Sequence, residues 1–143
     1  MIQRIQSIWL LLASLCSFAG MKFAFYTGNK LSDPQNTQSA KSFAEVNGMT
    51  NIFMNINTVA VGLLCLIAIF LFNNRRLQMK FCALIILLES ILIFHYQMSI
   101  SYFIEGTYAI GAILQPLTLL FALLAIRGIN KDNKLIEESD RLR

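Results

Sequence analysis

Residues 81–103, Phe81 to Phe103, read FCALIILLESILIFHYQMSISYF, without one lysine or arginine. As an α-helix rising about 1.5 Å per residue, this stretch is about 34 Å long and crosses the roughly 30 Å hydrocarbon core of a bilayer. A lone segment in hydrocarbon satisfies its backbone polar groups only by bonds within itself, so it must be helical. Three more apolar blocks come under the same rule: Ile5 to Phe25, Ile52 to Phe72 and Tyr108 to Ile126. Composition agrees, because 56% of the 143 residues are apolar and only 14% are charged, against roughly 25% charged in an average soluble domain. The expected fold is an all-α membrane protein, a single domain of four transmembrane helices over residues 1–143.

Between the spans lie a polar loop from Thr27 to Thr50, a basic turn from Asn73 to Lys80, a tight Glu105-Gly106-Thr107 turn and a charged tail over 127–143. An even number of spans puts both termini on one side with the basic turn. That side carries Arg4, Arg75, Arg76, Lys80, Arg127, Lys131, Lys134, Arg141 and Arg143, and the other carries Lys22, Lys30 and Lys41. This excess follows the positive-inside rule, so both termini are expected in the cytoplasm and the Thr27–Thr50 loop in the periplasm. The net charge of +4 comes mostly from this asymmetry. A nucleic-acid partner is not expected, since it would need a basic face interleaved with aromatics outside the membrane.

Ser17-Phe18-Ala19 has the small-x-small form of a signal cleavage site, but the apolar run continues through Met21, Phe23 and Phe25, so a retained span is expected. A lipoprotein is disfavoured by Leu15 directly before Cys16, where a small residue belongs. Cys16, Cys65 and Cys82 lie in or at the ends of spans without the close spacing of a redox pair, and read as reduced packing residues. One histidine and no nearby cysteine pair do not supply the usual four ligands of a metal site, so no metal or cofactor is expected.

Polar residues inside the spans are the candidates for chemistry. Glu89 lies about 12 Å into its span, where an acidic side chain costs about 2.5 to 3.5 kcal/mol on insertion scales and must be protonated or partnered between helices. Tyr96, seven residues on, shares its face, whereas His95 falls on a different face with Leu88, Ser99 and Tyr102. Two readings of Glu89 stand: a neutral carboxyl hydrogen-bonded across the bundle to Gln115, Ser14 or Asn57, or a protonation site in a transporter. Gln115-Pro116 interrupts the last span, and Pro116 removes the helical partner of the Ala112 carbonyl. Glu89, Tyr96 and Gln115 form the candidate intramembrane site.

Small residues mark the packing faces: Ala13, Cys16, Ser17, Gly20 and Ala24 on the first span, and Ala122, Ala125 and Gly128 on the last. Trp9, Leu12, Phe18 and Phe121 are expected to face lipid. In the polar loop, Asn47-Gly48 suits a type I′ hairpin turn between Phe43–Val46 and Met49–Ile52. In the tail, Ile129, Leu135, Ile136 and Leu142 recur at near-helical intervals, the pattern of a docking element.

Met1-Ile2-Gln3-Arg4-Ile5-Gln6, Ile69-Phe70-Leu71-Phe72 running into Arg75, Leu77 and Gln78, Leu124-Ala125-Ile126-Arg127-Gly128-Ile129 through Lys131-Asp132, and Ser139-Asp140-Arg141-Leu142-Arg143 resemble a Bacteroidota family of small four-helix membrane proteins of unknown function. The resemblance spans nearly the whole chain. It implies a four-span inner-membrane protein of a two-membrane bacterium and brings no activity with it.

The function expected from these features is a non-enzymatic inner-membrane subunit or scaffold that stabilises a larger membrane assembly. Its partners would be the bilayer, other membrane subunits and anionic lipid. Candidate contacts at the cytoplasmic face are Arg75, Arg76, Lys80, Arg127, Leu135 and Leu142. The alternative is a small proton-coupled transporter using Glu89. A lipid-handling enzyme with Glu89 or His95 as base ranks third, because no nucleophile is recognisable.

Overall fold

The computed structural model describes residues 3–30 and 42–141. Leu142, Arg143 and the part of the polar loop around Pro34 lie outside them. Four helices, α1 (Gln3–Lys22), α2 (Ile52–Phe70), α3 (Arg75–Ile100) and α4 (Gly111–Arg141), alternate in direction, and three short strands join them at one end. Each helix is long and apolar enough to cross a membrane, the arrangement of a multi-pass membrane protein. α1 packs on α4 and α2, and α3 on α4 and α2, so the helices follow one another around a ring. Large apolar side chains such as Ile8, Leu15, Leu87, Phe94 and Ile113 point outward and stay exposed.

Charge ends a span without ending a helix. Arg, Leu, Gln, Met and Lys are good helix formers, so α3 begins at Arg75 rather than at residue 81. The expected basic turn shrinks to a short 3-10 turn, Leu71–Asn73, and Asn74. The tail expected from residue 127 likewise continues α4 as one helix through Pro116 and on to Arg141.

The expectation of an all-α chain is corrected by a sheet at the end away from the termini. Strands β1 (Tyr26–Lys30), β2 (Ser42–Val46) and β3 (Phe103–Tyr108) pair antiparallel in the order β2-β1-β3. Glu105-Gly106-Thr107 is therefore strand, paired with Thr27, Gly28 and Asn29 of β1. Gly28 faces Gly106 across the pair, and a Cβ on Gly28 would run into the backbone of Glu105 and Gly106. Asn47-Gly48 makes no hairpin. A type I′ turn needs positive φ at both central residues, and no described residue has it. β2 pairs instead with β1, Tyr26 opposite Val46. Asn47 turns the chain into α2, its Oδ1 accepting the Met49 N–H at 2.9 Å and its carbonyl the Thr50 N–H at 3.1 Å.

Backbone bonds fasten the sheet to the bundle. The Gly48 N–H donates to the Gly20 carbonyl at 3.1 Å, Phe25 to Val46 at 2.6 Å and Gly111 to Ala24 at 2.8 Å. A Cβ at Gly111 would meet the Ala24 carbonyl oxygen at 2.5 Å, so only glycine lets α4 start this close to the end of α1. Small residues carry the helix contacts as expected, with Ala13, Ser17, Gly20, Ala122 and Ala125 buried. The assignment of Phe18 to the lipid face is corrected. Phe18 lies against Gly62 of α2, where a Cβ would meet its ring at 2.7 Å. Trp9 and Phe121 stack on each other with centroids 5.7 Å apart. Glycine at position 62 leaves room for an aromatic ring between helices, and the indole of Trp9 covers Phe121 across the seam of α1 and α4.

Candidate functional site

The apolar core divides into three clusters along the bundle. Nearest the sheet are Phe25, Tyr26, Val46, Met54, Leu92 and Tyr96. Ala13, Val61, Cys65, Ile85 and Ala122 form a second cluster, and Leu10, Ala68, Cys82, Ala125 and Ile129 a third. Between the first and second, every helix contributes buried polar side chains: Ser14 and Ser17 from α1, Asn57 and Thr58 from α2, Glu89 from α3, Gln115 and Thr118 from α4.

Most of these groups are spent on helix carbonyls. Ser14 donates to Gly62 O at 3.1 Å and Ser17 to Thr58 O at 3.0 Å, tying α1 to α2. The Asn57 amide donates to Leu88 O at 3.1 Å, tying α2 to α3. Thr58 and Thr118 bond back within their own helices, to Met54 O at 2.7 Å and Leu114 O at 2.9 Å.

Glu89 and Gln115 are the exceptions, and Glu89 is the costlier. It is fully buried, and neither carboxyl oxygen has a hydrogen-bond partner among the described residues. The expected bonds from Ser14 and Asn57 are not made, because both side chains are already committed to backbone carbonyls. Gln115 does not supply a bond either. Its amide nitrogen sits where a Cβ on Gly20 would approach to 2.6 Å, and its Oε1 is unpartnered as well. The Tyr96 hydroxyl stands beside that of Thr58 and within electrostatic reach of Glu89, at a geometry short of a formed hydrogen bond. Phe25 covers the Tyr96 ring in a near-parallel stack, centroids 4.4 Å apart. Glu89, Tyr96 and Gln115 each keep a buried polar atom that has no hydrogen-bond partner among the described residues. Such buried orphans are uncommon in folded proteins and mark strain, bound water or function.

His95 lies elsewhere, stacked on Phe53 of α2 with centroids 4.6 Å apart. The three cysteines are free.

A second polar group, at the end bearing the termini, was missed from sequence. The Gln6 amide donates to the Asp132 carboxylate, and both residues are buried. Gly128, one turn before Asp132, packs against the Gln6 side chain, where a Cβ would lie 2.9 Å from its Cγ. Gln78 donates to the Ala68 carbonyl at 3.1 Å, fixing the α2–α3 turn. A usable signal existed: Ala122, Ala125, Ile129 and Asp132 are spaced three, four and three apart, which places an acid on the buried stripe of α4. Gln6, Gln78, Gly128 and Asp132 all fall in the sequence stretches that carry the family resemblance, and here those stretches meet.

The proposed face contacts are distributed as follows. Arg75 is half-buried with one guanidinium nitrogen enclosed and unpartnered, while Arg76 and Lys80 line a shallow groove beside Met79 and Ala83. Arg127 and Leu135 are exposed on α4. Leu142 lies outside the described residues.

No curated protein and no solved structure matches the chain. A family model described as Domain of unknown function (DUF4293) matches residues 2–142, so the chain belongs to that family.

Proposed function

We propose that this chain is a non-enzymatic subunit or scaffold of a larger assembly in the inner membrane of a two-membrane bacterium of the Bacteroidota, with both termini in the cytoplasm. The observation that carries the reading is α4, which runs past its last apolar turn as one helix and is pinned to α1 by Gln6 and Asp132. A tail used only for solubility needs no such anchoring, whereas a helix held at a fixed angle presents a defined surface to a neighbour. At the other end β3 has one edge unpaired among the described residues, with Ile104 and Tyr108 exposed. Purification in mild detergent followed by native mass measurement tests the proposal. A fixed heteromeric complex is expected, and a bare homodimer would overturn it.

A second reading, a proton-coupled carrier, is favoured by one observation: the buried oxygens of Glu89, unpartnered among the described residues. Glu89→Gln keeps shape and removes the ionisable proton. Loss of growth at normal protein abundance would support the carrier, and unchanged growth the scaffold.

A further inference from the structure

On α4, Ile113, Leu120 and Leu123 point outward from the apolar part of the helix and are exposed. Continuing toward the terminus, Arg127, Asn130, Lys131 and Lys134 line a groove of about 270 Å³ and are exposed too. At 3.6 residues per turn, all seven fall within an arc of about 100°. One helix face therefore changes from hydrocarbon-facing to cationic within a single turn, between Leu123 and Arg127. Asp132, the one acid within this stretch, is turned away, buried against α1 and bonded to Gln6. It does not neutralise the groove.

We infer that this face binds one anionic glycerophospholipid, its phosphate held by Arg127, Lys131 and Lys134 with Asn130 donating a hydrogen bond, and an acyl chain lying along Leu120 and Leu123. Positive residues at a membrane boundary attract anionic lipid in general. Three further features define a site: a groove rather than a scatter of charges, an amide between the cations, and an apolar strip continuous with them. An occupant that satisfies both halves must be anionic at one end and hydrocarbon at the other, which separates a lipid from free phosphate. This inference is independent of whether the chain serves a larger assembly.

The test is native mass measurement of the full-length protein in detergent, with dioleoyl-phosphatidylglycerol, dioleoyl-phosphatidylcholine and inorganic phosphate as probes. Wild type should retain one phosphatidylglycerol, and the triple variant Arg127→Gln, Lys131→Gln, Lys134→Gln should weaken it by about a hundredfold, from three surface cations removed. Lys131→Arg with Lys134→Arg should keep it. Arg76→Gln with Lys80→Gln, in the other basic groove, should leave it within about twofold, a difference too small to count as a lost contact. Equal retention by wild type and the triple variant overturns the site, as does equal loss in the Arg76 and Lys80 variant, which would reduce it to general surface charge. Displacement of the lipid by millimolar inorganic phosphate, or equally tight binding of dihexanoyl-phosphatidylglycerol, would overturn the lipid assignment by removing the need for the apolar strip.

Discussion

Breaking the Gln6–Asp132 contact is the sharpest test of how α4 is held. Gln6 and Asp132 are each 6% exposed, so neither exchanges its bond for one to bulk water. Gln6→Leu fills similar volume but removes the donor, leaving an acidic side chain buried without a partner. Hydrogen bonds to charged groups contribute about 1.5–3 kcal/mol, and leaving the acceptor unmet puts the cost toward the upper end. An increase of roughly 30- to 150-fold in the unfolding equilibrium constant is expected. Asp132→Asn keeps an acceptor oxygen and should cost no more than about 1 kcal/mol. Removing both polar groups, Gln6→Leu with Asp132→Leu, should return stability to within about 1 kcal/mol of wild type, because an apolar pair of matching shape leaves nothing unsatisfied. The assay is equilibrium unfolding in mixed micelles followed by helicity, with limited proteolysis of the α4 extension beside it. If Gln6→Leu unfolds at the wild-type midpoint, or if the double variant loses the sum of the single losses, the contact is not what holds the extension.

Glu89→Leu should stabilise the bundle by about 1–3 kcal/mol, since it removes a buried polar group that no donor satisfies; a lower unfolding midpoint would refute the absence of a partner. Gly111→Val should destabilise by more than about 2 kcal/mol, because its Cβ would meet the backbone of Ala24 at 2.5 Å; wild-type stability would refute this close approach. With the native cysteines replaced, Met49→Cys should react with a membrane-impermeant thiol reagent applied outside the cell and Arg76→Cys should not; the reverse pattern would invert the proposed topology. Leu135→Ser, at an exposed position on α4, should leave the bundle's unfolding unchanged but reduce co-purification of a partner subunit; an unchanged set of co-purifying proteins would remove Leu135 from any docking surface.

The four helices were legible because each had to satisfy its own backbone in hydrocarbon, a constraint that acts on every residue of a span. The sheet was not. β1 pairs with β3, more than seventy residues later in the chain, and each strand has only five or six residues, so nothing local distinguishes Glu105-Gly106-Thr107 from a turn. Asn47-Gly48 misled for a related reason. The dipeptide favours a hairpin, but the partner that β2 required had already passed at Tyr26–Lys30. Charge marks the boundary of the apolar run, but the backbone keeps its helical bonds through Arg75–Lys80 and Arg127–Arg141.

At the candidate sites, the level at which Glu89 sits was legible from its cost, and its surroundings were not. Which carbonyls Ser14, Ser17 and Asn57 would occupy depends on the rotation of each helix, and these choices leave Glu89 without a donor. The polar residues of the bundle thereby separate into two sets. Ser14, Ser17, Asn57 and Gln78 cross-link helices through backbone carbonyls, and Gln6 with Asp132 does so through side chains. These contacts account for their own burial. Glu89, Tyr96 and Gln115 retain unpartnered atoms, and their burial is a cost that packing alone does not offset. Replacing a residue of the first set by an apolar one should cost stability, while replacing Glu89 should gain it. If the carrier reading holds, that gain comes with loss of growth, the trade-off expected where a destabilising group is kept for function. A gain in stability with growth intact would count against the carrier and leave the proposed scaffold, whose contact surface on α4 is held to α1 by Gln6 and Asp132.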